Sequence, residues 1–264
     1  MRAADFAYFD APGPIGLAHR GGAAYGPNVG FENSMAAFRR AVMMGYRYLE
    51  TDVHATSDGE VVAVHDERLD RVTDGSGAIK ELPYAVVRQA SIGGREPIPR
   101  LVDLLEEFPE TRFNIDVKAE GAVRPTAAII RQLGAVDRVC VGSFSERRLH
   151  EVRRIVGPRL ATAAGQVGTA SVRYVPAVLS RVMTTPAPVL QVPERHVVAG
   201  RELRLVTPRV VQRIHAMGKH IHVWTVDARA DMDRLLDWGV DGIVTDRIDT
   251  LAEVLAERGV PLGM

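Results

Sequence analysis

Short apolar runs alternate along this chain with longer stretches in which apolar residues recur at the three-to-four spacing of a helix. IGLAH (15–19) precedes ENSMAAFRRAVMMG (32–45), which closes on glycine. YRYLETDV and VVAVHD (61–66) follow; RFNIDVK (112–118) precedes PTAAIIRQLG, and RVCVGSF (138–144) precedes SERRLHEVRRIVG. RLATAA, APVLQVP, HIHVWTVD and GIVTD (242–246) read as further strands, with helical patterns over 207–217, 228–238 and 248–258. Strands that alternate with helices in this way indicate βαβ units and a parallel sheet. The strand count is near eight, in about the length one α/β barrel of the (β/α)8 type requires. The prediction is therefore a single domain spanning residues 1–264. Residues 67–98 break the rhythm with TDGSG and GGREPIP and read as a small rim insertion after the second strand. A doubly wound sheet is the alternative, but HRGG after the first strand is no G-x-G-x-x-G fingerprint.

One strand departs from the apolar pattern. In YLETDV (48–53), Leu49, Thr51 and Val53 share one face and Glu50, Asp52 and then His54 the other. Parallel-barrel strands are buried on both faces, so two unpaired carboxylates there would be costly. Cations must neutralise them, or the segment is an ordinary exposed strand. Polar residues also recur at other strand ends: His19-Arg20, Asp116-Lys118, Ser143, Gln191, Trp224-Thr225 and Asp246. A barrel whose site lies at the C-terminal rim has this distribution.

Composition narrows the classes. The 33 basic and 33 acidic residues leave a net charge of +0, so no overall attraction to nucleic acid or anionic membranes is expected. The arginine-rich stretch 195–219 reads as a solvated helix face. Cys140 is the single cysteine and sits in an apolar run, which reads as a small buried core residue. The N-terminus lacks the apolar segment of a signal peptide and no long apolar run could span a membrane, so a cytoplasmic protein is expected. Only Lys80, Lys118 and Lys219 are lysines, against thirty arginines, which sets Lys118 apart from generic surface charge.

The candidate chemistry follows from the strand ends. Glu50 and Asp52 stand roughly 7 Å apart along a strand, and Asp116 supplies a third carboxylate. Such hard oxygen donors suit Mg2+, Ca2+ or Mn2+; a salt bridge to Arg20 or Lys118 is the structural alternative. His19 and His65 end separate strands and suit acid–base work near neutrality. Arg20 and Lys118 could hold an anionic substrate, one by a fork and one as a point charge. Together these suit phosphoryl transfer. His54 reads as structural or solvent-facing, and Asn33 or Ser34 as a helix cap.

These residues carry a resemblance. HRGG, FENSMAAFRRAVMMGYRYLETDVHATSDGEVVAVHD, NIDVK and the closing VWTVD and GVDGIVTD resemble the glycerophosphodiester phosphodiesterases from about residue 15 to 250. The resemblance implies a TIM barrel with a divalent metal, commonly Ca2+ or Mg2+, that hydrolyses glycerophosphodiesters to sn-glycerol 3-phosphate and an alcohol. It implies His19 and His65 as catalytic histidines, Glu50, Asp52 and Asp116 as metal ligands, and Arg20 and Lys118 as phosphate contacts. Trp224 matches a pocket-lining aromatic, and Phe144 and Gln191 join it as candidate substrate contacts. Two departures stand out: Phe31-Glu32-Asn33-Ser34 replaces the usual Pro-Glu-Asn-Thr, expected to alter only the helix entry, and Asp116 replaces the usual Glu. A lysophospholipase D-like or phosphoinositide-type lipid phosphodiesterase on the same barrel is the first alternative, and a non-catalytic phosphate-binding module the second.

Overall fold

In the computed structural model, which describes residues 1–165, 185–198 and 201–262, the strands are β1 (Ile15–His19), β2 (Tyr48–Ala55), β3 (Val61–Ala63), β4 (Ser91–Ile92), β5 (Glu96–Pro97), β6 (Arg112–Val117), β7 (Val139–Gly142), β8 (Ala161–Thr162), β9 (Val189–Pro193), β10 (Arg195–Val198), β11 (Arg201–Arg204), β12 (His220–Trp224) and β13 (Gly242–Thr245). Eight of them form one parallel sheet in the order β8, β7, β6, β2, β1, β13, β12, β9. A parallel bridge between Ala163 and Val189, with the Ala164 N–H donating to the Val189 carbonyl at 2.9 Å, joins the two ends. The sheet thus closes into the (β/α)8 TIM barrel that the alternation predicts.

Helices follow the strands: α1 (Met35–Met43), α2 (Tyr84–Val87), α3 (Leu101–Glu107), α4 (Val123–Gln132), α5 (Glu146–Val156), α6 (Pro208–Ala216), α7 (Arg229–Asp237) and α8 (Ile248–Glu257). Three start where a hydroxyl can take an orphan amide: Ser34, Ser145 and Thr207 accept from the N–H groups of Ala37, Arg148 and Val210. Leu49 and Val53 of β2 pack outward with Phe38 of α1 and Leu101 and Leu104 of α3. The alternate face turns inward, where Leu17, Tyr48, Cys140, Val189 and Val244 meet the N-terminal residues Phe6, Tyr8 and Phe9. Tyr48 Oη donates to the Tyr8 carbonyl at 2.8 Å, so this segment closes the N-terminal mouth of the barrel. The opposite mouth is left for chemistry.

Some expectations change in detail. The run 61–66 is not a barrel strand; Val61–Ala63 pairs antiparallel with the overhanging end of β2. The 67–98 segment carries α2 and the short antiparallel pair β4–β5. It has its own apolar cluster, including Leu69, Ile79, Val87, Ile92 and Ile98. The stretch 195–219 is not one helix face but the antiparallel pair β10–β11 followed by α6; its residues 199–200 lie outside the described residues. No helix among the described residues is long and apolar enough to cross a membrane.

One buried group sets an acid limit on the fold. His222 of β12 is fully buried and neither ring nitrogen has a hydrogen-bond partner among the described residues. Burial, with the nearby His220 adding to it, pushes the imidazole down to about 3. Between its ordinary value near 6.5 and about 3, the unfolded chain binds the extra proton, so stability falls as pH falls. His222→Gln should flatten this acid limb by up to about 1.4 kcal/mol per pH unit, read by urea unfolding at stepped pH. Parallel limbs in both proteins would contradict it.

Candidate active site

The rim opens on a tight turn after β1. Arg20, Gly21 and Gly22 all have positive φ, at 50°, 85° and 91°. A Cβ on Gly21 would stand 2.8 Å from the Ala37 Cβ, so a side chain there would push the turn off α1. The Arg20 N–H donates to the Glu50 carbonyl at 3.0 Å and to Glu50 Oε2 at 3.3 Å. Asn33, also left-handed at φ 58°, donates its N–H to the Arg20 carbonyl at 2.9 Å. Its side-chain amide donates to Asp52 Oδ2 at 3.4 Å and its oxygen accepts from Thr51 Oγ1 at 2.8 Å. Two strained non-glycine residues therefore brace each other beside the carboxylates.

All ten predicted residues line one cavity of about 570 Å3 at the C-terminal ends of the strands. They are His19, Arg20, Glu50, Asp52, His65, Asp116, Lys118, Phe144, Gln191 and Trp224. Register explains the gathering: His19 stands beside Glu50, and Asp52 beside Asp116, on neighbouring strands. Gln191 donates to Asn114 Oδ1 at 2.8 Å, tying β9 to β6. Phe144 and Trp224 meet edge to face at 6.1 Å, with Lys118 Nζ 5.9 Å from the Phe144 ring centre.

The charges are unevenly matched. Asp52 pairs with Arg20 Nε at 2.9 Å and Lys118 Nζ at 2.8 Å, and Asp116 pairs with Lys118 at 2.6 Å. Burial alone would raise Asp52, but Lys118 and Arg20 outweigh it and hold the carboxyl below its ordinary value. Glu50 has no such partner among the described residues; its ion-pair neighbour is His19 Nε2, at 3.8 Å. Burial, then repulsion from Asp52, drives its carboxyl up to about 8. The cluster carries one carboxylate more than its cations offset.

Each histidine is oriented by an acid. His19 Nδ1 donates to Asp246 Oδ1 at 2.8 Å. Burial lowers the His19 value, but Glu50 and then Asp246 reverse this and leave it raised. His65 Nδ1 donates to Asp66 Oδ1 at 2.7 Å. Asp66 is held down at about 2, first by its hydrogen bond from Arg71, with His65 contributing. In both rings Nε2 is left for other contacts.

Asp246, Asp66, Asn33, Asn114, Glu32 and Arg71 are site residues that the sequence reading does not assign. Asp246 directly follows β13 and Asn114 lies within β6, yet no local signal pairs Asp246 with His19, 227 positions away. Ser34 alone caps α1, while Asn33 serves Asp52. His54 is buried, not solvent-facing, and donates from Nε2 to the His65 carbonyl at 3.1 Å. Phe31 does more than alter a helix entry: a Cβ on Gly93 would stand 2.9 Å from its ring, so it packs on the rim insertion.

As a metal site, the donors fit in chemistry and charge. Glu50, Asp52 and Asp116 offer only hard oxygens, and Glu50 is the one without an arginine or lysine ion pair among the described residues. As the side chains stand, Lys118 lies between Asp52 and Asp116. No group of three or more His, Cys, Asp or Glu side chains among the described residues is already gathered for an ion.

Carboxylate-oriented imidazoles, two cations and a carboxylate cluster around one rim cavity make the layout of a barrel enzyme acting on an anionic substrate. Residues 19–250 match the Glycerophosphoryl diester phosphodiesterase family. The chain is 41% identical to Probable glycerophosphodiester phosphodiesterase 2 of Mycobacterium tuberculosis, over 94% of this chain and 92% of that one. It is 28% identical to a glycerophosphodiester phosphodiesterase of Caldanaerobacter subterraneus, over 92% and 98%. In fold it resembles an Oleispira antarctica phosphodiesterase solved with the product sn-glycerol-3-phosphate: TM-score 0.76, 22% identity, 95% and 99% covered. The chain belongs to the glycerophosphoryl diester phosphodiesterase family and is a phosphoric diester hydrolase.

The His19 environment makes a direct prediction. In metal-free protein its ring should titrate above the ordinary value near 6.5, and Asp246→Asn should lower it. Histidine-ring NMR across pH reads both; an unchanged titration in Asp246→Asn would remove Asp246 from the site.

Proposed function

We propose that this enzyme hydrolyses glycerophosphodiesters to sn-glycerol 3-phosphate and an alcohol, with a divalent metal and His19 and His65 as its acid–base pair. The observation that carries the reading is the Glu50 carboxyl, buried beside Asp52 with no arginine or lysine ion pair among the described residues and only His19 Nε2, at 3.8 Å, opposite it. The product complex of the Oleispira antarctica phosphodiesterase supports the product side. Glu50, Asp52 and Asp116 would hold Ca2+, Mg2+ or Mn2+, which when bound supplies a Lewis acid for the phosphoryl oxygens.

The rest is work for the protein's own groups. Phosphodiester cleavage leaves little covalent chemistry to an enzyme beyond positioning and charge neutralisation. Arg20 and Lys118 already face the cavity and would meet the phosphate oxygens. One histidine takes the proton of the attacking oxygen through Nε2 while the other returns a proton to the departing alkoxide. Asp246 and Asp66 fix the two rings with Nδ1 as the donor, so Nε2 would be the nitrogen that exchanges the proton. Trp224 and Phe144 form an apolar edge against which the alcohol portion can lie.

One observation favours a second reading. Away from the carboxylates the cavity wall is apolar, with Leu190, Val192, Leu205, Ile214 and Ile221, and such a wall suits the acyl chain of a lysophospholipid. A single assay addresses both: glycerophosphocholine, related diesters and lysophosphatidylcholine, each with and without each metal. Exhaustive EDTA treatment should abolish turnover and added metal should restore it, with glycerophosphodiesters preferred. Full activity with no metal by elemental analysis would overturn the metal role; faster turnover of lysophosphatidylcholine would select the lipid reading.

A further inference from the structure

Arg71 lies outside the barrel, in the rim insertion, yet it reaches the site with both edges of its guanidinium. Its Nε donates to Asp66 Oδ2 at 2.5 Å and its Nη2 to Asp66 Oδ1 at 3.1 Å. Its Nη1 donates to Glu32 Oε2 at 3.0 Å and Nη2 to Glu32 Oε1 at 2.7 Å. Glu32 in turn accepts from Arg20 Nη1 at 3.2 Å, and Asp66 Oδ1 is the acceptor of His65 Nδ1. Two bidentate forks thus hold one arginine between the loop after β1 and the acid that aims His65. Lysine could not reproduce this, because it lacks the planar fork.

We infer that Arg71 is a positioning residue for the reaction: anchored on Glu32, it fixes Asp66, and Asp66 fixes the ring of His65. The inference rests on the acid–base role proposed above for His65.

A merely structural role is the competing account. An isolated exposed ion pair contributes little to stability, and the Arg71 side chain is 48% exposed. The insertion has other means of holding together, in the apolar cluster of Leu69, Ile79, Val87 and Ile92 and in the packing of Gly93 on Phe31. What Arg71 uniquely supplies is the second contact on Asp66. Without it the carboxylate is held, among the described residues, only by the imidazole it is meant to orient.

The test is a double-mutant cycle on the intact, metal-loaded enzyme, with kcat and KM measured separately on glycerophosphocholine. Arg71→Gln should lower kcat about 10- to 100-fold, the usual effect of losing a partner that orients a site ligand, and leave KM nearly unchanged. Arg71→Lys should recover only part of the loss, and Asp66→Asn should reproduce it. In a His65→Ala background Arg71→Gln should cost almost nothing more, because residues acting as one unit are not additive. An equal cost in both backgrounds, or an unchanged kcat, would overturn the inference and leave the His65 role standing. A full kcat in His65→Ala alone would instead overturn the role of His65. If Arg71→Gln does not fold, Arg71→Lys and Asp66→Asn carry the same cycle.

Discussion

Burying Glu50 and Asp52 at the barrel rim beside the half-buried Asp116 is the constraint that the rest of the site answers. An ionised carboxylate taken out of water is strongly disfavoured unless a cation or hydrogen bonds meet it. Asp52 and Asp116 are met by Arg20 and Lys118, and Asp52 also by Asn33. Glu50 is met by a backbone N–H and a distant imidazole, and its proton affinity rises accordingly. Under the proposed metal role this imbalance has a use: a divalent ion would supply the missing positive charge and would in turn draw in a phosphodiester.

The barrel separates stability from chemistry along its axis. At the N-terminal mouth, Phe6, Tyr8 and Phe9 pack against inward-facing strand residues. The buried Lys219 donates to the Ala187, Thr185 and Met1 carbonyls there. At the C-terminal mouth, β1, β2, β6 and β9 instead carry His19, Glu50, Asp52, Asn114, Asp116 and Gln191 to the cavity. On β2 the change occurs within a few residues: Tyr48 belongs to the apolar interior, while Glu50 and Asp52 belong to the site. The two-residue period of a strand keeps Leu49 and Val53 on the helix side throughout, so the outer packing is indifferent to what the inner face does.

Much of this was legible along the chain, for identifiable reasons. Six helices outside the insertion and its connection lie where the periodicity puts them, because amphipathic faces on a barrel must follow the 3.6 period. Nine of the ten candidate residues converge because they lie on or just after barrel strands that share one rim, and His65 joins them from the segment after β3. What stayed hidden depends on tertiary approach. Asp246 reaches His19 only because β13 closes on β1. Arg71 is five positions from Asp66, but its other partner, Glu32, lies 39 positions away and meets it only in the folded rim. Asn33 reads as a cap from composition, and only its left-handed backbone turns its amide to Asp52. The run 61–66 reads as a barrel strand because apolar alternation does not distinguish a ring strand from an antiparallel extension.

The central claim is a proposed division of labour between β2 and the segment after β3: Glu50 serves the metal and His65 serves the proton. Calorimetric titration of Ca2+, Mg2+ and Mn2+ into metal-free wild type, Glu50→Gln and His65→Ala, alongside turnover, separates the two. Glu50→Gln should weaken metal binding and regain part of its rate at high metal. His65→Ala should bind metal almost as wild type does while turnover drops by roughly 10²- to 10⁴-fold. Wild-type metal affinity in Glu50→Gln, or rescue of His65→Ala by excess metal, would contradict the account.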